Sequence, residues 1–398
     1  MPFPSPVSNK HRLAVATLLG LFAAHNARAL LRFDDSRNQV YVTAYAGASW
    51  DSNIYANPKG DNADLLISGG AGMEYSRKAG LIGVNASLGW DLGTFSNFSS
   101  EDFLNPSASI EFSKGTGRTT GSVQVHAQRN NRADPTVGLR TDSWDYNFNL
   151  NLRYPVIERY SLAGNVGWGL TDYSDNTGTF SDLNTYNLGT DLFYSWRSDR
   201  DLLAGYRYRL SESSASSEST DHSFYAGVSG RIVSKLSGSL RAGWNFRTTT
   251  YPAGIPDESN DGLYVSMAAT WPASRKATFT LAATEDFNTT SSNYQTKSTT
   301  IDLTGKFSHN VKFSTNANIG VGLTDYLSGF VNNSPVYTPQ FNGVERNDTF
   351  FTAGVGASYT ITEHFTLSVN YTYYQNWSNL SDFEFKRHSA GATLSTRW

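Results

Sequence analysis

Residues 144–154 read Trp-Asp-Tyr-Asn-Phe-Asn-Leu-Asn-Leu-Arg-Tyr. Trp144, Tyr146, Phe148, Leu150, Leu152 and Tyr154 fall on one face, and Asp145, Asn147, Asn149, Asn151 and Arg153 on the other. A period of two marks a β-strand, because successive side chains leave opposite faces of the pleat. Pro155-Val156-Ile157-Glu158 reads as a tight turn, after which Leu162, Val166, Trp168 and Leu170 oppose Asn165, Gly167, Gly169 and Thr171. Each arm is about twice the roughly 5–6 residues of a common soluble strand. It can cross a bilayer as a tilted strand, which takes roughly 9–11 residues. The pair is the unit of a transmembrane antiparallel up-and-down β-barrel.

The composition suits that fold. The chain has 398 residues, no cysteine, 34 glycines, 14% aromatics and only 39% hydrophobic residues, with a net charge of −3. In a barrel every second strand residue faces water, so low overall hydrophobicity is compatible with membrane insertion. Without cysteine there is no disulfide scaffold and no thiolate metal site. Lys10, His11 and Arg12 precede an apolar run from Leu13 to Ala24, and Ala27-Arg28-Ala29 forms an Ala-x-Ala site. Residues 1–29 therefore read as a cleaved signal peptide and 30–398 as one outer-membrane barrel domain.

The same alternation predicts strands near 39–50, 63–77, 81–95, 102–113, 118–131, 142–154, 160–173, 183–197, 200–212, 220–233, 236–250, 262–272, 276–288, 294–308, 311–326, 347–361, 364–377 and 382–398. Eighteen is an even number, as a bacterial single-chain barrel requires. The connections are expected to alternate between short periplasmic turns and longer outer loops. The long ones are placed at Asp51–Asn62, Asn131–Arg140, Ser174–Asp182, Ser213–Ser219, Tyr251–Asp261 and Leu327–Arg346. Aromatics cluster as two belts. Trp196, Trp271, Phe307 and Tyr359 lie by the short turns, and Trp50, Trp144, Phe287, Tyr326 and Trp377 by the long loops. Phe383 and Phe385 are out of phase with Leu394, which predicts a bulge in the final strand.

Phe33-Asp34-Asp35 and the segment Ala46-Gly47-Ala48-Ser49-Trp50-Asp51-Ser52-Asn53-Ile54-Tyr55 resemble the putative β-barrel porin-2 family. That resemblance implies an outer-membrane barrel of a Gram-negative bacterium. Some similar members occur with exopolysaccharide loci, which implies a channel or a polymer exit. It supplies no catalytic residues.

With the apolar faces outward, the opposite faces line a lumen. Arg207, Arg209, Arg231, Arg241 and Arg247 would form a basic wall, and Glu111, Asp145 and Asp191 an acidic one, with Arg153 near the lower rim. Such walls would set a transverse field across the channel water and select solutes by charge. Each arginine could equally be a solvated lumen residue paired across strands. Arg207 and Arg209 are expected at mid-strand, pointing inward together. The Leu327–Arg346 loop is the candidate constriction; a surface-exposed loop is the alternative.

No catalytic chemistry is expected. The seven histidines are scattered, and no zinc spacing, phosphate loop or dinucleotide fingerprint occurs. No cofactor is implied. Asp51, Asn53, Asp61, Asn62 and Asp64 read as turn residues, with a calcium site as the alternative. The acidic mature chain gives no support to nucleic-acid binding. The expected partners are outer-membrane lipid and lipopolysaccharide, the outer-membrane insertion machinery and, for polymer transit, a periplasmic polysaccharide export complex. The leading function is a channel for hydrophilic solutes or for secretion of a polysaccharide. The alternative is a plugged barrel serving as surface scaffold or adhesin.

Overall fold

The computed structural model describes residues 38–60, 62–78, 80–174, 179–252, 256–331, 334–336 and 345–398. The signal peptide expected over residues 1–29 lies outside them, as does Asp61. Among the described residues there is no α-helix, and the strands are β1 (Asn38–Asp51), β2 (Asp64–Arg77), β3 (Gly83–Phe95), β4 (Phe103–Lys114), β5 (Thr120–Asp134), β6 (Leu139–Ile157), β7 (Tyr160–Tyr173), β8 (Leu183–Arg197), β9 (Arg200–Ser213) and β10 (Glu218–Val233). They continue with β11 (Leu236–Thr250), β12 (Glu258–Trp271), β13 (Ala277–Thr289), β14 (Gln295–Ser308), β15 (Phe313–Val331), β16 (Ser334–Val336), β17 (Asn347–Thr360), β18 (Phe365–Ser378) and β19 (Phe385–Arg397).

Short β16 pairs only with the far end of β15 and stands outside the wall, while β15 pairs directly with β17. The other strands form one antiparallel sheet that closes on itself. β1 meets β19 from Thr43↔Arg397 to Asp51↔Ser389. Val42 and Trp398 exchange backbone hydrogen bonds at 3.1 and 3.0 Å at the foot of that seam. The wall is thus an eighteen-strand ring, and a ring satisfies its backbone without water on the outside.

The two faces obey the alternation. Leu188, Leu192 and Trp196 of β8 are exposed outward, while Phe193 between them is buried inside. The bounds read from the sequence are reproduced at residues 160–173, 183–197 and 236–250. Inside, Tyr225 stands opposite Gly205 and Tyr45 opposite Gly70. A Cβ on Gly205 would fall 2.5 Å from the Tyr225 ring, and one on Gly70 would fall 2.3 Å from the Tyr45 ring. Glycine there gives the ring a place to lie against the wall.

Four expectations need correction. β6 runs through Pro155 to Ile157 with a register shift, so the turn is only Glu158–Arg159. The upper connections are not uniformly long, because β5, β6, β9 and β10 extend past the expected loop edges. They leave tight tips at residues 135–138 and 214–217, and the β13–β14 connection, not among the expected long loops, is a tip at residues 290–294. β19 pairs with β18 without a bulge: Phe385 starts the strand facing inward, and Phe383 belongs to the 3-10 turn Ser381–Phe383. Phe287 and Tyr326 are buried inside rather than standing in the upper belt. Tyr326 lies on the lumen phase of β15, and Phe287 lies where β13 has left the wall.

Two hairpins part from a neighbouring strand near the upper rim. The β4–β5 ladder stops at Ser107↔Gln128, and the β6–β7 ladder stops at Ser143↔Tyr173. Above these points β5 and β6 pair only with each other, up to Asp134↔Leu139. The β12–β13 ladder stops at Val265↔Glu285, although β11–β12 continues to Thr249↔Glu258 and β13–β14 to Thr289↔Gln295. The β5–β6 ribbon is freed from both neighbours, whereas β13 is freed from β12 alone and β14 keeps its pairing with β15 up to Gln295↔Ser328; both tips bend over the lumen.

Candidate functional site

The two bent hairpins and the loops around them roof the upper mouth. At the β5–β6 tip, Asp134 accepts a hydrogen bond from the Ser291 hydroxyl at the β13–β14 tip. The Ser181 amide, in the β7–β8 connection, donates to the Ser291 carbonyl at 2.7 Å. Ser217 donates to Asn293 at 2.6 Å, and Ser219 to Gln295 at 3.1 Å. Asn293 takes a left-handed φ of 61°, which an asparagine tolerates at a hairpin tip. Tyr294 and Gln295 are almost completely buried, so this hairpin is interior structure rather than surface loop.

Just before β17, two strands on from β14, stands Arg346. Its guanidinium lies 3.6 Å from the Phe383 ring centroid and 4.2 Å from that of Tyr326. It pairs with Asp348 at 2.6 Å and donates to the Thr136 carbonyl of the β5–β6 tip at 2.9 Å. Arg140 of β6 completes the roof: it donates to the Ile54 carbonyl at 3.2 Å and lies 3.5 Å from Glu101. Burial, and then the Glu101 carboxylate, push the nearby Tyr55 phenol above its ordinary range.

Below the roof, β9, β10, β11 and β13 bring five charged side chains together. Arg207 holds Asp286 through two nitrogens, each at 2.8 Å. Arg209 bonds Asp221 at 2.8 Å and Asp286 at 3.2 Å. Arg247, fully buried, lies 3.4 Å from Asp221. The same arginines also hold the hairpin by its backbone, with Arg209 donating to the Phe287 carbonyl at 2.5 Å and Arg247 to that of Asn288 at 3.0 Å. Three cations against two carboxylates leave one positive charge in excess. Removing either carboxylate would leave buried guanidiniums uncompensated, a costly state.

The expected residues are therefore only partly assembled. Arg207, Arg209 and Arg247 meet, and Arg241 lies nearby, paired with Asp191 at 2.9 Å. Arg231 sits at the lower rim, 3.7 Å from Asp199, with its side chain 58% exposed. Asp145 accepts from Asn130 at 2.5 Å, and Glu111 from Asn85 at 3.5 Å; neither joins the cluster. Acid and base adjoin instead of facing each other across the lumen. Asp221 stands directly opposite Arg209 in one ladder and Arg247 in the other, which is the cross-strand arrangement that stabilises a sheet. Arg153, at the lower rim, pairs with Asp201 at 2.7 Å.

Polar cavities lie among the described residues, two of them beside these charged groups. One, of about 400 Å³, is lined by Arg153, Asp191, Arg207, Tyr225, Arg241 and Tyr264. The other, of about 470 Å³, lies under the roof beside Asp51, Arg132, Arg140, Asn370 and Arg387. Asp51 is taken by Arg387 at 2.5 Å, and Asp64 accepts the Asn97 and Phe98 amides at 2.9 Å. Both carboxylates thus serve protein donors. Among the described residues no group of three or more His, Cys, Asp or Glu could hold a metal ion. The expected constriction over Leu327–Arg346 lies largely outside the described residues, and the roof is built by the β5–β6 and β13–β14 tips.

A closed ring of long strands, apolar outside and polar inside, defines a porin-like transmembrane β-barrel. Residues 206–397 match the family model described as Putative beta-barrel porin 2. The match covers the carboxy-terminal half and not the segment around Trp50 on which the resemblance was read. No curated protein matches the chain. Among solved structures, it is similar to Pseudomonas aeruginosa OpdK with vanillate, at 10% identity and a TM-score of 0.48, covering 90% of this chain and 99% of that one. It is also similar to the FrpB iron transporter of Neisseria meningitidis, at 11% identity and a TM-score of 0.49, covering 88% and 64%. A third is Acinetobacter baumannii OccAB3, at 10% identity and a TM-score of 0.45, covering 92% and 100%.

Proposed function

We propose that this barrel is an outer-membrane channel for small hydrophilic solutes, closed in this state by its roof. One observation carries the reading: the roof is fastened by discrete polar contacts between hairpins from different sides of the ring. Hydrogen bonds among Asp134, Ser291, Thr136 and Arg346 can exchange with water, so the roof can open without unfolding the wall. In this reading the end with both termini faces the periplasm, and residues 1–29 direct export. Insertion machinery and lipopolysaccharide are the partners this implies. Selectivity falls to Arg207, Arg209 and Arg241, whose surroundings favour anions. Polymer secretion would require a wider opened state and a periplasmic export complex.

The near-complete burial of Arg346 favours a second reading, a permanently plugged barrel serving as a surface scaffold. Single-channel recording in planar bilayers separates the two. A channel shows discrete openings. Silence across many insertions of folded protein supports the scaffold.

A further inference from the structure

The wall is not continuous between β12 and β13. Their ladder ends at Val265↔Glu285, and no ladder partner on the β13 side meets Glu258 to Tyr264. Leu263 pairs with Trp244 on the other side of β12, and both are exposed on the outer face, so the fork opens within reach of lipid. Unpaired backbone facing hydrocarbon is costly. The shallower fork between β4 and β5 is edged by Pro106, which has no N–H to satisfy. No proline edges β12.

Two further features mark this fork as a polar passage. Glu285 and Lys297 share the strand phase of Leu281, Ile301 and Leu303, but with Phe287 on that phase they lie where β13 has left the wall, on the lumen side of β12, and they form a 2.8 Å ion pair. Charges this close to a gap in the wall sit where polar groups or water reach them. Gly262 leaves a notch beside them: a Cβ there would fall 3.1 Å from Lys297 and 3.5 Å from Phe287. Just inside lies the cavity lined by Arg207, Tyr225, Arg241 and Tyr264.

We propose that the β12–β13 fork is a lateral port between this cavity and the outer leaflet, and that it takes an amphipathic anion. The cations around it are Arg207, Arg209, Arg247 and Lys297, against Asp221, Glu285 and Asp286. The excess positive charge suits an anionic head, and Leu263 and Val265 beside the lipid suit an apolar tail. The Lys297–Glu285 pair is the latch that the head displaces. The port does not depend on the roof opening.

The test uses the full barrel in lipid nanodiscs and a twelve-carbon carboxylate with a photoactivatable diazirine in its chain. Adducts are mapped by mass spectrometry. They should concentrate on residues 258–264, 285–288 and 297. The chain has no native cysteine, so Gly262→Cys with Lys297→Cys gives a unique disulfide across the fork. Oxidation should lower fork labelling about tenfold, and reduction should restore it. Gly262→Phe fills the notch with Lys297 retained and should lower labelling similarly. Equal labelling in oxidised and reduced protein, unchanged labelling in Gly262→Phe, or fork adducts no denser than on the rest of the lipid face would overturn the port. Conductance of the same samples reads the axial channel separately, so failure of one reading is not failure of the other.

Discussion

Arg346 donates a 2.9 Å hydrogen bond to the carbonyl of Thr136, a residue borne by strands from across the barrel. The bond ties the β5–β6 tip to a post clamped between Tyr326, Phe383 and Asp348. If the roof closes the pore, this contact helps to keep it closed.

Arg346→Ala should therefore raise open probability and conductance several-fold in planar bilayers. It also leaves Asp348 buried without its cation, at a cost of about 3–5 kcal/mol, read as a lower midpoint of heat-modified migration. Unchanged conductance in a folded variant would remove the roof from the gating scheme.

The two roof tips can also be locked. Asp134→Cys with Ser291→Cys replaces a side-chain hydrogen bond by a disulfide. Oxidation should silence the channel and a reductant should restore it, within one recording. Current that ignores the redox state would show that solutes bypass this contact.

Reversing Arg207, Arg209 and Arg241 to Glu turns the excess positive charge near the hairpin into a negative one. The anion-to-cation permeability ratio should fall about tenfold, measured as the reversal potential in a salt gradient. Asp286→Asn works the other way: it should increase anion preference and expose the hairpin to trypsin at Lys297, because the hairpin loses its side-chain anchor to Arg207 and Arg209. A reversal potential unmoved by all four changes would mean that this cluster does not line the route.

Gly205→Ala pushes a methyl group into the Tyr225 ring and the Asp191 carboxylate. Overpacking of this kind costs about 1–3 kcal/mol. The variant should denature at lower urea concentration, and Gly205→Ala with Tyr225→Ala should recover part of the loss. No change in midpoint would show that the ring is free to swing away.

The wall was legible because its signal is local: alternation needs only neighbouring residues, and β7, β8 and β11 were delimited to the residue. The roof was not legible, since residues 285–297 alternate like any stave. Nothing local says that β13 parts from β12 there and that the hairpin tip bends inward. Arg207 and Arg209 were read as inward-facing. Their carboxylate, Asp286, lies 79 and 77 positions away, beyond the reach of any pattern. Arg346 and Asp348 offered a usable sign, since opposite charges two apart at a strand start share one face.

Thr136 and Arg346 are 210 positions apart, and Asp134 and Ser291 are 157 apart. A ribbon cannot fasten to a shore that has not been built. Contacts spanning so much chain form late, after the short-range hairpins have zipped and the first and last strands have met. If the roof closes the pore, the newly inserted cylinder leaks for as long as its assembly lasts and seals only as the final act of folding.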